Sequence, residues 1–322
     1  MDNQIAIGLD IGGTFIKTAL VRGDGHVLHK KSIPIKTTSS HIIDQILLSI
    51  SLLLKEIKVD QELIGIGMGA PGNVNRLKGT IQGAYNLSGL EDQAIVEIIQ
   101  KKHSYPIFID NDATNAAKGE FLFGAGKNCQ HMVALTIGTG IGGGIILNGQ
   151  VFHGITDYAG EIGHMTVVPN GRLCSCGNYG CLEAYSSASA MVDQARQALR
   201  RRETSQLETL KADEINGEKI CYWANEGDSL CESIVQDVGH FIGLAIANII
   251  NLLNIPLVVV GGGVSAGGKV LFQSIDESAN KHVLPRLRGT FRVEKALLGN
   301  DAGVIGSASA VFMEGLEHTH TL

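Results

Sequence analysis

The chain has 322 residues, 44% of them hydrophobic, and a formal net charge of −6. That length buries a sizeable core as one large domain or two medium ones, and the lack of a basic excess argues against nucleic acid as the main partner. No stretch reaches the ~18 uninterrupted apolar residues of a membrane span. The opening Met-Asp-Asn-Gln runs straight into a strand-like segment, so neither a membrane nor a signal peptide is expected, and the expected compartment is the cytoplasm.

Residues 4–11, 14–22 and 26–35 read as three strands, the last after a Gly-Asp-Gly turn. Apolar residues at helix spacing predict a helix over about 41–57. A strand at 63–69 leads into Ala70-Pro71-Gly72, a helix follows at 91–102, and a short strand at 107–110 meets Asn111-Asp112 before a helix that starts with Ala113. The pattern then begins again. Residues 132–137 form an apolar run, followed by Gly-Thr-Gly and apolar segments at 145–147 and 150–155. After a Cys-rich stretch at 164–183, helices are expected at about 186–202, 229–253, 267–281 and 302–315, with strands at 257–260 and 291–297. The polar segment 203–228 reads as helical. Strands separated by helices indicate α/β layers. The order suggests two β-β-β-α-β-α-β-α units: a smaller lobe of residues 1–118 plus 301–322, and a larger one of 119–300. No Pro- or Ser-rich linker separates them, so a cleft between closely packed lobes is the expected ligand site.

Glycine is 41 of 322 residues and clusters at 12–13, 138–144 and 261–268, each time after an apolar run. In Asp10-Ile-Gly12-Gly13-Thr14-x-x-Lys17, a tight turn exposes backbone N–H groups and a hydroxyl, a set of donors that suits phosphate oxygens. Asp10 suits Mg²⁺ through water, since that ion takes few carboxylates beside phosphate and water. The P-loop spacing is missing. Gly138-Thr139-Gly140 repeats the device in the second unit. Gly261-Gly262-Gly263 closes a buried strand near a helix start and suits the adenosine or α-phosphate side of a nucleotide. Ordinary hairpins would read the same way singly; the duplication favours a polyphosphate held by both turns.

Asp110-Asn111-Asp112 sits at a strand end. A carboxylate there can orient a hydroxyl and take its proton in phosphoryl transfer. An Asx helix cap before Ala113 is the plainer reading, and both can hold. Sequence order leaves Asp110 and Asp112 equivalent.

His164, Cys174, Cys176 and Cys181 form a Cys₃His set that suits tetrahedral Zn²⁺. Four protein ligands leave no open position, so the ion would be structural. Gly177 and Gly180 permit the sharp folding of a knuckle. The remaining histidines, including His41, His153, His240, His318 and His320, and the run Arg200-Arg201-Arg202, take plain core or solvated readings.

DIGGTFIK at 10–17, GAPG at 69–72, NDA at 111–113, IGTGIGGG at 137–144, GEIGH at 160–164, CSCGNYGCLE at 174–183 and GGG at 261–263 resemble the ROK family of sugar kinases and sugar-responsive repressors. The resemblance runs from residue 5 to about 310 and is nearest to bacterial glucokinases of that family, whose LGNDAGVIG-like stretch appears at 298–306. It implies the actin-like ATPase, ribonuclease H-like fold with a zinc knuckle. It implies ATP-dependent phosphorylation of a hexose 6-hydroxyl, glucose above all, at the entry to glycolysis. By motif position Asp112 resembles the catalytic base. Gly72, Asn111, Glu161, His164 and Glu183 resemble sugar-binding positions, with His164 also on zinc. Gly12, Gly13, Thr14, Thr139 and Gly262 resemble nucleotide-binding positions. The same resemblance suggests a homodimer or homotetramer. Repressor members carry an added N-terminal helix-turn-helix; with a strand starting at residue 4, none is expected here. The alternatives are a kinase for fructose, mannose, allose or N-acetylmannosamine, a polyphosphate-using kinase, and a non-catalytic sugar-binding regulator.

Overall fold

The computed structural model describes residues 3–35, 42–83 and 85–317. His41, His318 and His320 lie outside the described residues. The chain forms two compact units. One holds the residues up to Asn128, Gly144–Ala159 and those from Asn300 on; the other holds Cys129–Gly143 and Gly160–Gly299.

The first unit is built on β1 (Gln4–Ile11), β2 (Phe15–Arg22), β3 (Val27–Pro34), β4 (Glu62–Ala70) and β7 (Ile107–Asn111), in the order β3-β2-β1-β4-β7. Strands β1, β2 and β3 pair antiparallel, while β1, β4 and β7 run parallel. The two-residue period of β1 places Ile5, Ile7, Leu9 and Ile11 in one apolar core. Helix α1 (Ile42–Leu54) covers that core with Ile42, Ile46, Ile50 and Leu53, spaced for one helix face. It ends three residues short of the expected 57.

On the opposite face of the sheet, glycines let a helix backbone sit directly on the strands. A Cβ on Gly8 of β1 would overlap the Val304 carbonyl, and one on Gly67 of β4 that of Ser307, both in α9 (Ala302–Glu317). Helix α3 (Asp112–Phe123) packs on α9 in the same manner, with Gly306 against the Asn115 backbone. Helices α3 and α9 both lie in the unit that runs to Asn128.

A small hairpin of β5 (Asn73–Asn75) and β6 (Thr80–Gln82) lies between β4 and α2 (Ile95–Gln100), and sequence periodicity did not indicate it. The expected helix at 91–102 is correspondingly shorter. Across the parallel strands Asp10 pairs with Gly69, and Gly69 with Asp110. The Gly12–Thr14 turn, Gly72 and Asn111 thus gather at the carboxyl end of one sheet, where open α/β sheets bind ligands.

The second sheet repeats the order: β10 (Gln150–Val151), β9 (Ile141–Leu147), β8 (Met132–Ile137), β11 (Leu257–Gly261), β12 (Arg292–Lys295). Both sheets read third-second-first-fourth-fifth in their own chain order, which is the duplication expected from the sequence. The strand expected to 155 stops at Val151, since Gly154 and Asp157 take positive φ. Helices α4 (Glu183–Ser186), α5 (Ala188–Arg200), α6 (Gly217–Asn225), α7 (Ser229–Leu253) and α8 (Gly268–His282) complete the unit. The polar segment before α7 contains α6 and a single 3-10 turn at Gln206–Thr209. Helix α7 is long and apolar enough to cross a membrane by length and composition. It is a packed core helix instead, with Val235, Val238, Ile242 and Ile246 fully buried and Gly239 and Gly243 against α8.

Candidate functional site

In the first unit the Gly12–Thr14 turn is tight, with the Gly12 N–H donating to the Phe15 carbonyl at 3.0 Å. Gly13 and Thr14 are exposed, and a Cβ on Gly13 would meet nothing within 4 Å. Behind them Asp10 faces Lys17, Oδ2 to Nζ at 3.7 Å. Burial pushes the Asp10 carboxyl up, and the Lys17 charge offsets part of that rise.

The strand end at 110–112 separates the two carboxylates that the sequence left equivalent. Asp110 is buried and engaged on both oxygens. Its Oδ1 accepts from the Asn111 N–H at 2.9 Å; its Oδ2 lies 2.9 Å from His153 Nε2, 3.6 Å from Lys118 Nζ and 3.9 Å from Arg76 Nε. Arg76 Nη1 approaches His153 Nδ1 at 3.3 Å. A guanidinium only donates, so Nδ1 accepts and Nε2–H donates to Asp110. Asp112 instead opens α3, half-buried, with Oδ1 accepting from the Ala113 N–H at 2.8 Å. The helix cap is Asn111: its Oδ1 accepts from Ala113 and Thr114, and its Nδ2 donates to the Gly72 carbonyl at 3.1 Å. Gly72 has φ 83°, a turn conformation suited to glycine. The structure therefore brings Gly72, Asn111 and Asp112 together.

Burial works against ionisation of Asp110, but the His153 hydrogen bond and the Lys118 and Arg76 charges outweigh it and hold the carboxyl below its ordinary 3.8. A carboxylate with a depressed folded value contributes stability that is complete above the ordinary value and fades as pH falls through the folded one. In urea unfolding, the wild type should exceed Asp110→Asn by a constant margin from pH 7 down to about 4. That margin should shrink on further acidification, and a margin that widens there would reverse the sign.

In the second unit the turn Gly138–Gly140 closes with the Gly138 N–H donating to the Gly140 carbonyl at 2.9 Å. Its outer carbonyls are held by the start of α5: the Ala188 N–H donates to Gly138 O at 2.8 Å and Ser189 Oγ to Thr139 O at 2.9 Å. Gly261 ends β11. Gly262, with φ 80°, comes so close to Ile137 that a Cβ would overlap its backbone, which places the Gly261–Gly263 loop beside the Gly138–Gly140 turn.

His164 lies in a 3-10 turn at Ile162–His164, and Cys174, Cys176 and Cys181 in the following loop, where Gly177 and Gly180 have φ 90° and 80°. The four ligand atoms lie within 4.8 Å of one another. His164 Nδ1 is 3.7 Å from Cys174 Sγ, and Cys176 Sγ is 3.7 Å from Cys181 Sγ. Tetrahedral zinc with its usual Zn–S and Zn–N bonds needs ligand separations of about 3.5–3.8 Å, so the donor set fits that ion. His164 Nε2 turns the other way, 3.8 Å from Glu161 Oε2. Glu183 accepts from the Ile141 N–H at 2.8 Å through Oε2 and from Ser175 Oγ at 2.9 Å through Oε1.

Arg76, Lys118 and His153 around Asp110, and Ser175 and Ser189 around the second turn, were not singled out in the sequence; Arg76, His153 and Ser189 act through partners more than 30 residues away in the chain.

The ROK family profile matches residues 6–313. A glucokinase of Halalkalibacterium halodurans is 37% identical over 313 residues, covering 95% of this chain and 94% of its own. Among solved structures, a ROK family glucokinase from Streptomyces griseus in complex with glucose and AMPPNP superposes with a TM-score of 0.83 at 31% identity, over 94% of this chain and 98% of that one. A ROK family transcriptional regulator, a homologue of the E. coli MLC protein, superposes with a TM-score of 0.87 at 29% identity, over 96% of this chain and 78% of that one. The fold is that of the ROK sugar kinases, and the chain belongs to the ROK family.

Proposed function

We propose that this chain transfers the γ-phosphoryl group of MgATP to the 6-hydroxyl of a hexose, with glucose the preferred acceptor. The observation that carries the reading is the division of labour at 110–112. Asp110 is consumed by a buried ion cluster, while Asp112 stands at the start of α3 beside the Asn111–Gly72 clamp. Asp112 is then the base that takes the hydroxyl proton. Asn111, Gly72, Glu161, His164 and Glu183 hold sugar hydroxyls. Gly12, Gly13, Thr14, Lys17, Gly138, Thr139, Gly140 and Gly261–Gly263 are the nucleotide-contact residues of this reading. Asp10, half-buried beside Lys17, suits water-mediated contact with the Mg²⁺ of the nucleotide. Zinc, held by His164, Cys174, Cys176 and Cys181, supplies a rigid node that orients the His164 ring. Similarity to glucokinases supports glucose and ATP as substrates. In the same reading the enzyme works in the cytoplasm as a homodimer or homotetramer.

The TM-score of 0.87 to a transcriptional regulator favours a second reading, a sugar-binding regulator without turnover. A coupled assay of ADP release with MgATP and a hexose panel separates the two. Turnover on glucose well above mannose, fructose, allose and N-acetylmannosamine supports the first reading. Preference for another hexose changes the substrate alone. No turnover with ATP or polyphosphate, from a folded chain that binds glucose, selects the regulator.

A further inference from the structure

Ile141, the first residue after the Gly138–Gly140 turn, is buried and held on both sides of its backbone by the segment that carries the metal ligands. Its N–H donates to Glu183 Oε2 at 2.8 Å. Its carbonyl lies against Gly163, where any side chain would overlap it, one residue before His164. The other Glu183 oxygen accepts from Ser175 Oγ at 2.9 Å, and Ser175 stands between the ligands Cys174 and Cys176. Cys174 Sγ itself approaches Glu183 Oε1 at 3.9 Å. One carboxylate therefore spans from the cysteine loop to the glycine turn. An ionised carboxylate has about four acceptor sites, so these bonds leave capacity for a sugar hydroxyl as well.

We propose that Glu183 is a positioning residue that ties the metal knuckle to the Gly138–Ile141 turn, so that zinc and nucleotide affinities are linked. The inference rests on the reading of that turn as a nucleotide site. Phosphate binding by a turn depends on backbone N–H groups already fixed in direction. Here the direction is set at Ile141 by Glu183 and Gly163, and both are seated by the fold of the knuckle. An ion that orders the cysteine loop fixes Ser175 and hence Glu183. By linkage, nucleotide on the turn must favour the ion in return.

The test uses the full zinc-loaded protein without sugar. Zinc affinity is measured by equilibrium competition with a chromogenic chelator, with and without saturating MgAMPPNP, and nucleotide binding is measured separately by calorimetry. In the wild type MgAMPPNP should tighten zinc binding at least ~5-fold, the low end of coupling between sites. In Glu183→Ala that tightening should vanish at saturating nucleotide. Glu183→Gln should restore much of it, because an amide oxygen still accepts from Ile141 and its NH₂ can donate to Ser175. A purely structural role would weaken zinc equally with and without nucleotide. Should Glu183→Ala not fold, Ser175→Ala cuts only the knuckle end of the link and should reduce the tightening. Wild-type zinc affinity indifferent to MgAMPPNP that calorimetry shows to be bound overturns the inference, as does full tightening in Glu183→Ala. Wild type that binds no MgAMPPNP overturns the nucleotide reading itself, and the calorimetry tells the two failures apart.

Discussion

Asp112→Asn should lower kcat at least ~10²-fold, the low end for loss of a general base, while the protein keeps its fold and its sugar affinity. The substitution preserves shape. The amide oxygen of Asn can still accept from the Ala113 N–H, as Asp112 Oδ1 does at 2.8 Å. The helix cap is untouched, because Asn111 supplies it. Loss of one negative charge at the helix N-terminus costs about 0.3–1 kcal/mol of stability. The effect should therefore fall on turnover, not on unfolding. Asp110→Asn should show the opposite pattern in stability. Removing one partner of a buried ion pair costs about 3–5 kcal/mol, and Asp110 faces Lys118, whose side chain is 3% exposed. Steady-state kinetics, sugar binding by calorimetry and urea unfolding on both variants give the comparison. Near-normal turnover in Asp112→Asn would remove Asp112 as the base.

Why the sequence left Asp110 and Asp112 equivalent is visible in the distances. The groups that engage Asp110 come from positions 76, 118 and 153, the last 43 residues away in the chain. No local pattern announces such a cluster, and His153 alone reads as an ordinary histidine. The hairpin that carries Arg76 has strands of three residues, too short for a two-residue period to register. Features whose causes are local were legible. The Cys₃His set lies within 18 consecutive residues and folds by its own glycines, and the structure brings all four donors together. The duplicated glycine turns were legible because each directly follows an apolar strand. Gly8 and Gly67 were not, since the reason for their lack of a side chain is α9, more than 200 residues further along.

Cys176→Ala should abolish zinc retention and lower the melting temperature by more than the lost thiol can explain. Cys174 and Cys181 are buried, so replacing either confounds ligand loss with a packing defect; Cys176 is exposed. An exposed substitution without special contacts changes stability by about 0.5 kcal/mol or less, which is roughly 1–2 °C for a chain of this size. A larger fall must come through the metal, because in such sites much of the binding free energy is folding free energy. Besides the ion, the loop is held by isolated bridges at Thr166–Cys181 and Leu173–Tyr179, backbone hydrogen bonds, and the Ser175–Glu183 and Arg172–Tyr185 hydrogen bonds. Elemental analysis of the purified variant should find well under one zinc per chain, since a closed four-ligand site has lost one thiolate and its folding contribution with it. Chelation of the wild type should reproduce the variant's melting temperature, and chelator added to the variant should change nothing further. Full zinc with an unchanged melting temperature would show that Cys176 is not a ligand. Zinc lost with an unchanged melting temperature would show that the knuckle folds on its own backbone, with the ion serving the site and not the fold.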